Sequence, residues 1–161
     1  MDDTVIVFTG KNIDTMFKNG GSGDWLINEA SLKKCIYIIA TANTNASFSD
    51  HMSTMHGQAF MIGKICGYME APSNPTRKII QFSEYAKIDV PNVWPGHRNP
   101  VLYASISDMN ISLDKLNWHP FPSHQVEKVC LIPELTIEEA KQGLAKKLRI
   151  STESIEIIIK A

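Results

Sequence analysis

Cysteine is scarce: 3 among 161 residues, at positions 35, 66 and 130, with no Cys-x-x-Cys pair. The odd number and wide spacing exclude a disulfide framework and a paired-thiol zinc site. Each lies in or beside an apolar run and reads as a buried, reduced thiol. A surplus of one charge is missing too, since 16 basic and 17 acidic residues leave a formal net charge of -1. No global positive field exists to hold a long nucleic-acid backbone, which excludes a histone-like duplex binder. No apolar run reaches membrane-spanning length, and Met1-Asp2-Asp3-Thr4 is acidic where a secretory signal is basic, so the expected location is cytoplasmic.

Catalytic and phosphate-binding signatures are equally sparse. The glycines from Gly20 to Gly23 lack a Gly-Lys-Ser/Thr ending and read as a helix stop followed by a turn. Ser83, Glu84, His97 and Asp50 supply the residue types of a nucleophilic site, but there is no Gly-x-Ser-x-Gly elbow, and nothing selects an enzyme. Asp50, His51 and His56 fall close together without matching a zinc signature, so neither a metal nor a cofactor is expected.

What is present describes one α+β domain spanning 1–161. Hydrophobic residues make up 43% and charged residues 20%, enough for a real core. Its centre is the stretch His56 to Met69, an apolar, β-branched strand whose glycines at 57, 63 and 67 leave room for a backbone or a ligand. Cys35 to Ala40 and Arg77 to Phe82 supply neighbours, and Ala71-Pro72-Ser73-Asn74-Pro75 forms the turn of a hairpin. Thr4 to Thr9 is a first strand. A short helix follows, capped by Asn12, with Ile13, Met16 and Phe17 on one face and Asn19-Gly20-Gly21 as its stop. Further along, Leu102 to Ser105 reads as a brief strand. Ser105 with Asp108 has the spacing of a capping box, and Trp118 to Pro122 is extended and seals a core edge. Thr136 with Glu139 caps a last helix whose apolar face is Ile137, Ala140, Leu144 and Leu148, with Lys146, Lys147 and Arg149 in its final turn. A terminal strand is expected over Ile155 to Ile159.

Three stretches carry recognition chemistry. Trp25, directly after the glycines, suits either stacking on a planar ligand or an edge of the core. The polar loop Thr41 to Ser53 is the longest. Asp89 to Val101 holds three prolines with Trp94, His97, Arg98 and Asn99, a set able to stack a base, meet a phosphate and pair with a base edge, or else to hold the loop by local bonds.

The order of strand Ile36 to Ala40, polar loop with Asn43 and Ser47, and Gly57-Gln58-Ala59-Phe60-Met61-Ile62-Gly63-Lys64-Ile65 resembles the PUA-like superfamily, particularly its YTH, EVE and ASCH branches. Arg77 to Phe82 and Val90 to Pro100 follow in the corresponding order. The resemblance implies a mixed, strongly curved, barrel-like sheet with short flanking helices and a C-terminal helix and strand. It also implies a pocket for a modified or flipped base. By position, Trp25, Thr41, Asn43 and Trp94 are the pocket candidates, with His97, Arg98 and Asn99 at the rim. The expected function is recognition of a nucleobase, nucleotide or single-stranded nucleic acid. The alternatives are a small hydrolase of a modified nucleoside, to which Thr41, Lys64 and Glu84 would correspond in the ASCH branch, and a protein-interaction domain without a pocket.

Overall fold

The computed structural model describes residues 2–122, 136–148 and 150–158. Cys130, Arg149, Ile159 and the side chain of Lys146 lie outside the described residues. Two compact units are present, Met1–Leu131 and Ile132–Ala161.

The first unit is a mixed sheet curled into a half-barrel. It contains β1 (Thr4–Thr9), β2 (Ser22–Trp25), β3 (Tyr37–Ala42), β4 (Ala59–Ala71), β5 (Asn74–Val90), β6 (Val101–Ala104) and the short β7 (His119–Pro120). The order is β2-β5-β4-β3-β1-β6, and β7 pairs with β5. Among the described strands only β1 and β3 run parallel; the connection between them carries helices α1 (Ile13–Asn19) and α2 (Glu29–Leu32), as a parallel pair requires. Register shifts between Ala59 and Met61, Lys64 and Ile65, Ile65 and Gly67, and Glu70 and Ala71 bend the long β4–β5 hairpin. An extra residue on one strand raises local twist, which supplies the curl.

Both faces of the sheet are covered, which explains why its central strands read as continuous apolar runs. Val5, Val7, Met16, Leu32, Ile38, Ala40, Met61, Ile80 and Phe82 form one buried cluster. Ile6, Ile39, Ala59, Ile62, Ala86 and Trp94 form the other. Space at Gly63 is filled by protein: a Cβ there would stand 3.0 Å from the Phe82 ring and 3.1 Å from Ile38. Phe121 packs edge-on to Phe82 and Phe17, and Trp118 covers the second cluster, so these two side chains seal the core edge.

Several boundaries differ from the sequence expectation for local reasons. Cys35 precedes β3, because its N–H donates to Leu32 O at 2.9 Å and closes the turn after α2. At the other end, Thr41 and Ala42 continue β3 opposite Phe8 and Thr9. His56 lies in the turn before β4, and Arg77 to Phe82 is the middle of the 17-residue β5. Asn12 does cap α1, its side chain accepting from Thr15 N at 2.9 Å. Ser105 makes no capping bond; the Asp3 carboxylate instead accepts from Ile106 N at 2.8 Å and starts the 3-10 turn Ile106–Met109.

In the second unit, α3 (Ile137–Leu148) opens with the reciprocal Thr136–Glu139 box, Thr136 N to Glu139 Oε2 at 2.8 Å and Glu139 N to Thr136 Oγ1 at 3.3 Å. Its apolar face is not buried, since Ile137, Leu144 and Leu148 are exposed. Residues 155–158 follow a 3-10 turn and form no strand among the described residues, with Ile158 exposed to solvent. No helix among the described residues is long and apolar enough to cross a membrane.

Burial and the neighbouring Asp3 and Asp2 charges push the Cys35 thiol from 9.0 up to about 11. A group kept neutral by folding stabilises the native state below its unfolded pKa, so this contribution is lost as pH rises from about 9 to about 11. Alkylation of Cys35 by iodoacetamide, followed by peptide mass spectrometry, should be negligible at pH 8 in the native protein and complete after unfolding.

Candidate functional site

A cleft of about 590 Å³ opens at the C-terminal ends of β1 and β3. This size is within the range of small-ligand pockets. Its apolar walls come from Phe8, Trp25, Phe48 and Pro100. Trp25 is 8% exposed, and its Nε1–H donates to Ser22 Oγ at 3.1 Å, which fixes the ring. Phe48, by contrast, is 63% exposed and presents a free aromatic surface at the mouth.

The loop after β3 forms one wall because the end of β1 ties it down. Thr9 O accepts from Asn43 N at 2.8 Å and contacts His51 Nε2 at 2.9 Å. A carbonyl only accepts, so His51 carries its proton on Nε2. Gly10 O accepts from Asp50 N at 2.7 Å, and the Thr15 hydroxyl donates to Asp50 Oδ2 at 2.7 Å. Gly10 permits the approach: a Cβ there would stand 2.9 Å from Ala46 Cβ and 3.4 Å from both Phe48 and the Ser49 backbone.

Polar groups line the remainder. Asn43 Oδ1 accepts from Asn45 N at 3.2 Å, so its Nδ2 amide is on the other side and has no partner among the described residues. Lys11 Nζ reaches Asp24 Oδ2 at 3.1 Å and Gly23 O at 3.3 Å, while Arg77 Nη1 donates to Asp24 O at 2.7 Å. Desolvation pushes the Asp24 carboxyl up, but the Lys11 ammonium and the Ser73 hydroxyl outweigh it and hold the group below its ordinary value. The site therefore offers more hydrogen-bond donors than acceptors.

Of the residues singled out from sequence, Trp25 and Asn43 line this cleft. Thr41 is fully buried beneath it, its hydroxyl donating to Val7 O at 2.9 Å. Trp94 belongs to the core and does not line this cleft: it is 8% exposed and lies parallel to Phe8, with ring centroids 4.9 Å apart. Its backbone N–H is held by Gly57 O at 3.0 Å. His97, Arg98 and Asn99 are exposed and do not line the cleft. Phe8, Lys11, Phe48 and Arg77 were missed. Thr9-Gly10-Lys11 at a strand end was the visible signal for Lys11; the others have none, because partners far along the chain bring them together.

Residues suited to the hydrolase alternative are not gathered. Lys64 pairs with Glu84 at 2.7 Å under the Trp118 ring, while Thr41 stands at the opposite end of β3, where Tyr37 faces Lys64 and Thr41 faces Ala59. Asp50 binds Thr15, and His97 lies against Trp94, apart from Glu84. His56 Nδ1 contacts Thr44 Oγ1 at 3.1 Å, and no group of three or more His, Cys, Asp or Glu is placed to hold a metal among the described residues.

Trp94→Ala should cost about 3–5 kcal/mol in denaturant unfolding, as a large core truncation does. Gly10→Val should displace the 46–49 segment, read as faster proteolysis within that loop and weaker ligand binding. Unchanged proteolysis would show that the loop does not depend on this approach.

Comparison with protein-family models, with characterised proteins and with solved structures gives no match for this chain.

Proposed function

We propose that this domain recognises a single unstacked nucleobase, free or within a nucleotide. The observation that carries the reading is the cleft itself: Phe8, Trp25 and Phe48 around one space, with two cations and an amide that has no partner among the described residues on its polar side. Aromatic walls bind the flat face of a base whatever its identity. Directional donors at the edge discriminate among bases. The lack of a global positive charge agrees with this division, because a pocket binder takes its affinity from stacking and desolvation more than from a long phosphate track.

Asn43 gives the reading a direction. With Oδ1 committed to the turn, Nδ2 donates, so the matching ligand atom is an acceptor such as a base carbonyl. Bases that carry a carbonyl, uracil, guanine and cytosine, are favoured over adenine, which offers only ring nitrogens as acceptors. Asn43→Asp keeps an oxygen for Asn45 N–H and exchanges only the outward donor for a charged acceptor.

The experiment uses the Trp94→Phe, Trp118→Phe double variant, in which Trp25 is the only indole. Titration with uridine, guanosine, cytidine and adenosine should give saturable quenching, weakest for adenosine. Asn43→Asp should then weaken uridine or guanosine binding by about 1–3 kcal/mol, the cost of an unmatched polar contact, without lowering the melting temperature. Absence of a response to every nucleoside would sink the proposal.

A further inference from the structure

A second cleft, of about 440 Å³, adjoins the first and shares Lys11, Gly23 and Asp24 with it. Lys18 and Asn19 at the end of α1 and the Pro72-Ser73 hairpin tip complete its walls. No aromatic residue lines it among the described residues, whereas three line the first cleft. Cations instead continue across both: Arg77 in the aromatic cleft, Lys11 on the shared wall, Lys18 in the second.

Asp24 is the only carboxylate on either wall among the described residues, and both its oxygens are engaged. Lys11 holds Oδ2 at 3.1 Å and the Ser73 hydroxyl holds Oδ1 at 3.1 Å. Lys18 is exposed and has no carboxylate partner among the described residues. A site with two lysines and the Asn19 amide but no stacking surface is matched to a sugar-phosphate chain. We infer that the ligand is a single strand of more than one nucleotide, one base in the aromatic cleft and the adjoining sugar-phosphate backbone in the second. This rests on the base-recognition reading and adds the ligand class. A neutral nucleoside fills only the first cleft, and the phosphates of a strand meet Lys11 and then Lys18.

The test measures affinity for uridine, uridine monophosphate and UpUpU, and for the matching adenosine series, by Trp25 fluorescence across salt concentrations. Trinucleotide binding should be the tightest in its series and fall with salt at a log-log slope near -1.4 for two neutralised phosphates, at ~0.7 each. Nucleoside binding should be nearly independent of salt. Lys18→Gln should lower trinucleotide affinity several-fold and reduce its slope by about 0.7, leaving the nucleoside constant unchanged. Nucleosides that bind as tightly as trinucleotides, or a trinucleotide indifferent to Lys18→Gln, would overturn the strand while the base reading stands. Silence from every probe would overturn both.

Discussion

Thr9 and Gly10, where β1 ends, hold the structure of the site together. Their two carbonyl oxygens receive the backbone of Asn43, the ring of His51 and the backbone of Asp50. Those bonds fold a polar segment of low intrinsic order back over the strand end and turn it into a wall. Thr15 and Asn12 grip the same segment from α1, through Asp50 Oδ2 and Asp50 O. A loop satisfied in this way keeps its backbone groups paired while presenting Asn43, Ser47 and Phe48 to the cleft. The missing Cβ of Gly10 is the steric condition for the contact.

Electrostatics follow the same economy. The chain is close to neutral overall, yet Lys11 and Arg77 converge on Asp24 from α1's approach and from β5. Asp24 positions both, Lys11 through its carboxylate and Arg77 through its backbone carbonyl. The result is a local, directional excess of N–H groups in a protein with no long-range positive field, a condition that favours short-range recognition over attraction at a distance.

Secondary structure was legible where neighbouring residues decide it. The β1 run, the Asn12 cap and Gly20 stop of α1, the Pro72-Ser73 hairpin and the Thr136–Glu139 box all rest on contacts within a few residues, and each is present. Errors occur where a distant partner competes. Asp3 takes the capping role expected of Ser105, 103 residues from the N–H it accepts. Trp94 shows the same effect at the site: its aromatic, proline-rich surroundings suit recognition, but Phe8 covers its face and the Gly57 carbonyl holds its backbone. Trp25 and Trp94 have equal exposure and each belongs to a buried cluster; Trp25 also borders the cleft, whereas a packed ring lies against Trp94.

The sequence by itself determined a mixed α+β chain, its central hairpin, its capped helices and its neutral charge balance. Local propensity, capping and turn chemistry act over short stretches and can be read from them. Only the tertiary structure decided that Phe8, Lys11, Phe48 and Arg77 share one cavity, and that Trp94 belongs to the core. Those assignments depend on sheet order and curl, which bring β2 and the hairpin of β4 and β5 round to the end of β1. Register shifts and long-range hydrogen bonds set that curl, and no spacing along the chain encodes them directly.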